Sequence, residues 1–347
     1  MSTRDEMVRQ VSRTFSLSIE QLPGQLRDAV SVAYLMFRIA DGIEDHQQMP
    51  AYRKVELLNC WVAVVEGRTR AENLVEGVRD LDATDPEVKV ISDAPLILDW
   101  LHTLPPTFQE PIVQHVHATS LGMARWQEHG PFVEDEAELD DYMHEVAGRV
   151  GYLVTDLFAL HSPLIRELRE TLMPLSRECG LALQTVNVIR GIRKDYERGW
   201  VFIPRSFYEP LGLTQHTLLD PQWESETLAV VSMMADKAER HLDSGLTFIT
   251  TFPRREHDIR LALMWPFLFA ARTLAISRQN PKVLRGEAKM SRAEIGQIVG
   301  KTKLFGWSNR WLADYYRRLS AIPSEHVEQP PFRPIVTSGK TRMEAKG

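Results

Sequence analysis

Cysteine is nearly absent from this chain of 347 residues, with only Cys60 and Cys179, far apart and without a metal-ligand pattern around them. That excludes a disulfide scaffold and fits free buried thiols in a reducing compartment. No G-x-G-x-x-G occurs, so no dinucleotide-binding βαβ unit is expected. Long apolar runs are also missing: the most apolar stretch, Leu261 to Ile276, contains Pro266 and Arg272 and falls short of a membrane span. The opening Met1-Ser-Thr-Arg-Asp-Glu is too polar for a signal peptide. A formal net charge of −6 lacks the basic excess that nucleic-acid binding needs. With 44% hydrophobic and 25% charged residues, the composition is that of a soluble globular protein, and the expected location is cytoplasmic. His115 and His117 stand two apart, on different faces of a helix, and do not make a ligand pair.

Alternating, strand-like patterns are scarce as well. Apolar residues instead recur at three and four through Ala29 to Ile43, Val55 to Val65, Ile112 to Met123, Leu181 to Ile192, Leu228 to Ile249 and Leu261 to Ile276. Breaks fall at Pro23-Gly24, Met49-Pro50, Leu104-Pro-Pro106, Gly130-Pro131, Ser162-Pro163 and across Pro204 to Pro221. The pattern predicts an all-α fold of roughly ten helices with short connections. One domain is expected over residues 1–321. A polar tail over 322–347, carrying Pro323, Pro330, Pro331 and Pro334, is expected to be disordered.

Within the first of these helices, Tyr34, Arg38, Asp41 and Asp45 follow one another at spacings of four, three and four. Those spacings set a phenol, a guanidinium and two carboxylates along one stripe. Like charges one turn apart repel, and a hard divalent cation is a common way to offset that. Mg²⁺ takes one or two carboxylates and fills its other positions with water and phosphate oxygens. Such an acidic pair is more often a solvated helix face, so the spacing alone is weak evidence for a metal site and leaves both readings open.

Three further segments bear on the choice. Ser12-Arg13-Thr-Phe-Ser16 lies upstream, Tyr142-Met-His-Glu-Val-Ala-Gly148-Arg-Val-Gly151 lies in mid-chain, and Gln184-Thr-Val-Asn187-Val-Ile-Arg190-Gly-Ile-Arg-Lys194-Asp195 follows. Together with the stripe they resemble the squalene and phytoene synthase family, in that family's order, from about residue 8 to about residue 318. The later Asn280-Pro-Lys-Val-Leu-Arg-Gly286-Glu-Ala-Lys289-Met-Ser-Arg292 is similar to the segment squalene synthases carry, and less like the phytoene synthases. The resemblance implies a single-domain helical bundle of the isoprenoid synthase type with a central cavity, in which the Asp41 stripe and the Asn187 to Asp195 stripe oppose each other. One departure stands out. Where the family has Arg-Asp-x-x-Glu-Asp, this chain has Arg190-Gly191-Ile-Arg193-Lys194-Asp195, so Gly191 replaces one acid and Lys194 another. Met143 stands where the family has cysteine.

What the resemblance implies for chemistry is a Mg²⁺-dependent, head-to-head condensation of two farnesyl diphosphates. Asp41, Glu44 and Asp45 would hold Mg²⁺, with Asn187 and Asp195 contributing from across the cavity. Arg13, Tyr34, Arg38, Gln184, Arg190 and Lys194 would contact the prenyl diphosphate; a guanidinium grips phosphate bidentately and a lysine acts as a point charge. Tyr142 matches the family's candidate for handling a proton or stabilising a cation, and is equally readable as a core tyrosine. Reduction to squalene would require NADPH, with Lys289 and Arg292 in the segment the resemblance places near that cofactor. Eukaryotic squalene synthases end in a membrane anchor, whereas the polar tail here leaves room for peripheral membrane contact only. Two other readings remain: a terpene synthase-like enzyme working on one substrate with the first cluster alone, and a non-catalytic relative that binds lipid or assembles with partners.

Overall fold

The structure is a computed structural model that describes residues 3–321, the Arg13 side chain excepted. The expected tail over 322–347 and the diphosphate contact expected of the Arg13 side chain lie outside the described residues. Sixteen α-helices succeed one another among those described: α1 Arg4–Val11, α2 Arg13–Ile19, α3 Gly24–Asp45, α4 Ala51–Val65, α5 Ala71–Glu76, α6 Pro86–Ser92, α7 Ala94–Thr103, α8 Pro106–His129, α9 Glu136–Met143, α10 Arg149–His161, α11 Pro163–Glu197, α12 Arg205–Tyr208, α13 Glu224–Thr251, α14 His257–Ser277, α15 Arg292–Phe305 and α16 Asn309–Ala321. The fold is all-α; the described residues hold no strand, only an isolated bridge between Phe132 and Val201. There are more helices than the roughly ten expected from periodicity. The surplus is short: α1, α2, α5, α6, α9 and α12 have 8, 7, 6, 7, 8 and 4 residues, too few for a 3.6-residue period to declare itself.

Helix α3 is the spine of the site. Pro23 precedes it with extended backbone, and it ends where His46 turns extended. Leu26, Ala29, Val32, Leu35, Met36, Ile39, Ala40 and Ile43 are all fully buried, packed against α6, α8, α4 and α7. Across residues 31–46 only Tyr34, Arg38, Asp41 and Asp45 keep any appreciable access to solvent. A helix buried on every other side that keeps one polar stripe open faces a cleft, not bulk water.

The 35-residue α11 runs beside α13, α10 and α14, and its C-terminal turns carry the second stripe. Between α9 and α10 the chain makes a π-helical turn, His144–Gly148, directly after Tyr142 and Met143. Such turns re-aim neighbouring side chains and recur at functional sites. One contiguous apolar core joins these elements, from Met7 to Leu319. In one respect the sequence expectation needs correction. Helix α14, His257–Ser277, is 21 residues long and, by length and composition, apolar enough to cross a membrane, although 83% of its apolar window is buried in the protein. Pro266 does not shorten it, because a buried helix tolerates the lost backbone bond when neighbours pack around it.

Candidate active site

The α3 stripe is organised by Arg38. Its guanidinium donates to both carboxylate oxygens of Glu87, each at 2.7 Å, and to Asp41 at 3.2 Å. Glu87 comes from the first turn of α6, which approaches α3 at Gly42; a Cβ there would lie 3.2 Å from Glu87 Oε2. Tyr34, one turn earlier, is drawn toward the Ser12 to Ser16 segment by a hydrogen bond with Ser12 and by Phe15, whose ring centroid is 5.7 Å away. The first two sequence blocks therefore meet in space.

Two turns on, Arg198 joins the helices. At the C-terminal cap of α11, it pairs with Asp45 of α3 and, at 3.0 Å, with Asp195 of α11. The two acidic halves do oppose each other, with a guanidinium between them. Arg198 is only 11% exposed, against 16% for Asp195 and 38% for Asp45, so the bridge sits inside the cleft with Asp45 toward its opening.

Electrostatic strain collects around this bridge. Burial lifts the Asp41 carboxyl to about 6, against the pull of Arg38, with Asp45 and Glu87 pushing the same way as burial. Burial likewise raises Asp195 to about 6, opposed by Arg198 and Lys194. Glu44 is raised furthest, to about 8, by burial and then by Asp45 and Asp41. Its Oε1 is buried without a hydrogen-bond partner, and Lys54 Nζ reaches its backbone carbonyl, at 2.5 Å. Tyr142 is buried, its ring stacked on Phe202 with centroids 4.4 Å apart and edge-on to Trp126 at 5.3 Å. Burial, then the negative charges of Glu44 and Asp45, hold its phenol well above the ordinary range. It is thus a neutral hydroxyl facing the acids, on an aromatic wall that Trp200 extends by stacking on Phe202 at 5.2 Å.

On the facing stripe, Asn187, Arg190 and Lys194 are exposed, while Gln184, Gly191 and Asp195 are half-buried. Asn187 donates to Gln184 at 3.4 Å. A Cβ at Gly191 would stand 3.2 Å from Asp195 Oδ2, so the missing acid and the surviving one share a face. Arg193 is turned elsewhere and donates to the Leu284 carbonyl at 2.9 Å, which ties the Pro281–Arg285 turn to α11. Lys289 and Arg292 are exposed just beyond that turn, at the start of α15. Met143, in place of the family's cysteine, is fully buried and takes a hydrogen bond from Thr185 at 3.2 Å.

Among the described residues no three acids, histidines or cysteines converge as a ready metal cage. Mg²⁺ does not require one, because phosphate oxygens and water complete its shell. The α3 side fits a single cation: Glu44 presents an orphaned oxygen, Asp41 carries charge that burial disfavours, and Asp45 stands beside them toward the opening. The α11 side, with Gly191, Lys194 and an Asp195 already paired with Arg198, does not present a second equivalent set. Glu87 and Arg198 had not been singled out from sequence as site residues. Glu87 belongs to no motif. Arg198 could have been found, since it stands only three positions after Asp195, the last residue of the second stripe.

Comparison with known proteins bears on the family and the fold. Residues 8–294 match the family model for squalene/phytoene synthase. A Botryococcus squalene synthase from Botryococcus braunii is 32% identical over 296 residues, 84% of this chain and 61% of that protein. The squalene synthase of Solanum lycopersicum is 30% identical over 305 residues, 86% of this chain and 69% of that protein. This chain therefore spans under two thirds of the length of the first and little more of the second. Among solved structures, the complex of TcSQS with the ligand BPH1237 superposes with a TM-score of 0.78 at 22% identity, covering 93% of this chain and 92% of that one; it shares the fold. On these grounds the chain belongs to the squalene/phytoene synthase family, a family of prenyltransferase-type enzymes.

Proposed function

We propose that this protein condenses two molecules of farnesyl diphosphate head to head, through presqualene diphosphate, toward squalene. The observation that carries the reading is the open polar stripe of an otherwise buried α3, brought against Asp195 through Arg198. Asp41, Glu44 and Asp45 would hold Mg²⁺, with Asn187 and Asp195 contributing from across the cleft. When bound, the ion supplies positive charge to the diphosphate as it leaves. Arg38 and Arg190 offer guanidinium forks to phosphate oxygens, and Arg13, Tyr34, Gln184 and Lys194 belong to the same proposed contact set. Lys194, exposed one turn beyond Arg190, stands where a second metal ligand would be and can meet phosphate directly as a point charge.

In the first half-reaction one substrate loses diphosphate to give an allylic cation. The double bond of the second attacks it, and loss of a proton closes a cyclopropane. Tyr142 is suited to this stage, because its phenol is uncharged and its ring lies in the aromatic wall of Trp126, Phe202 and Trp200, whose π faces attract a cation. Reduction to squalene belongs to the same proposal, with Lys289 and Arg292 as the cations that would receive NADPH phosphates. The proposal extends to a cytoplasmic, membrane-peripheral location and to residues 1–321 acting as one catalytic domain.

The test is incubation with farnesyl diphosphate and Mg²⁺, with and without NADPH, reading diphosphate release and extracted products together. The expected products are presqualene diphosphate without NADPH and squalene with it. Diphosphate release with only fifteen-carbon products would favour a single-substrate enzyme. No release under any metal condition would leave the non-catalytic reading.

A further inference from the structure

We infer that the corner between α15 and α16 is a docking surface for an anionic lipid bilayer. Leu304, Phe305 and Trp307 stand there 68%, 48% and 55% exposed, three large apolar side chains within four positions. Isolated exposed apolar residues are ordinary, but a contiguous set marks a site of interaction.

The corner is held rigidly in that pose. Arg260 of α14 is fully buried and donates to the carbonyls of Ile249 at 3.0 Å, Phe252 at 2.8 Å and Gly306 at 3.4 Å, and to Asn309 Oδ1 at 2.6 Å. Asn309 in turn donates to the Thr250 carbonyl at 2.9 Å. Gly306 is wedged in place: a Cβ there would come within 2.5 Å of the Thr302 carbonyl oxygen and 2.9 Å of Met264 Sδ. The apolar side chains thus cannot fold inward to escape water, and a buried charged residue is committed to keeping them out.

Charge selects the partner. Although the whole chain carries −6, no acid occurs between Glu294 and Asp314, and Lys301, Lys303 and Arg310 are exposed in that interval. The α13–α14 loop, fastened to the corner through Arg260, adds exposed Arg254 and Arg255, opposed among exposed residues of that loop and the first turn of α14 only by Asp258. A second copy of the chain docking corner to corner would face these cations with its own, a repulsive arrangement. An anionic bilayer matches both properties. Tryptophan favours the headgroup level, leucine and phenylalanine enter the acyl boundary, and each lysine or arginine near the surface strengthens the attraction to anionic headgroups. The inference stands apart from the proposed catalysis, since the corner uses no residue of the acidic cleft.

The experiment is co-sedimentation of the full chain with vesicles of phosphatidylcholine alone or mixed with phosphatidylglycerol, at low and high salt. Wild type should bind the anionic vesicles, weakening about tenfold or more at high salt. Trp307→Ser and, separately, Lys301→Glu with Lys303→Glu should each lower binding at least tenfold while circular dichroism and thermal unfolding stay as in wild type. Brominated lipids should quench wild-type fluorescence more than that of Trp307→Phe. Binding that is absent, indifferent to lipid charge, or unchanged in the variants overturns the inference. So does a concentration-dependent dimer that Trp307→Ser abolishes, which would assign the corner to a second copy.

Discussion

Glu44 gives the most demanding test of the site's electrostatics. Its folded-state pKa of about 8 lies above the ordinary value of 4.5. The folded protein therefore binds the Glu44 proton more tightly than the unfolded chain does. That preference stabilises the fold fully below 4.5 and is lost as pH rises through about 8. The difference of the two values corresponds to about 5 kcal/mol at about 1.4 kcal/mol per pH unit. Asp41 and Asp195, raised from 3.8 to about 6, add losses of the same sign over a lower window. Glutamine at position 44 keeps shape and cannot ionise. Urea unfolding of wild type and Glu44→Gln in chelator at pH 5, 7 and 9 should therefore give a stability difference that moves in the variant's favour by about 3–5 kcal/mol from pH 5 to pH 9. Saturating Mg²⁺ at the highest pH should stabilise wild type more than the variant, because the ion binds the folded state and the variant offers it one carboxylate fewer. A wild-type to variant difference that stays constant with pH would refute the account of Glu44 as a strained, cation-seeking acid.

Arg198→Met should destabilise the metal-free protein by about 1–3 kcal/mol at neutral pH. That is less than for a fully buried pair because Asp45 is 38% exposed, and urea unfolding with and without Mg²⁺ will show whether the ion restores the loss. Asp41→Asn and Asp45→Asn should each abolish Mg²⁺-dependent diphosphate release with the helical circular dichroism signal intact; full turnover by either would remove the α3 stripe from the mechanism. Lys194→Ala should weaken substrate binding more at low than at high ionic strength. The double change Gly191→Asp with Lys194→Glu should raise Mg²⁺ affinity measured by calorimetry, since the new carboxylate would share a face with Asp195. If Lys194→Ala is silent while the double change raises turnover, the second cluster has decayed and has not been replaced by direct phosphate contacts.

The α3 stripe was legible because four polar residues at helical spacing interrupt an apolar helix, and that period survives any change of tertiary context. The opposition of α3 and α11 was legible only through resemblance, since nothing local to Asp45 announces Arg198 more than 150 positions later. Glu87 was invisible for the same reason: it owes its place to α6 packing on Gly42, a contact fixed by three-dimensional shape. Arg193 shows the converse. It adjoins Lys194 in sequence, yet successive helical residues point about 100° apart and Arg193 falls on the side that meets Leu284. The short helices α5 and α6 escaped because they contain fewer than three turns each.

Arg198 also changes what the site owes to its surroundings. A dissolved cation neutralises facing acids only to the extent that its concentration allows, whereas a guanidinium on the same chain is present at a fixed effective concentration. With one tethered counter-ion seated between Asp45 and Asp195, the gap between α3 and α11 keeps its width when free magnesium runs low. The cleft is thereby held together by a part of the chain itself, and under the proposed function an arriving metal–diphosphate pair would meet two walls already joined by a resident arm.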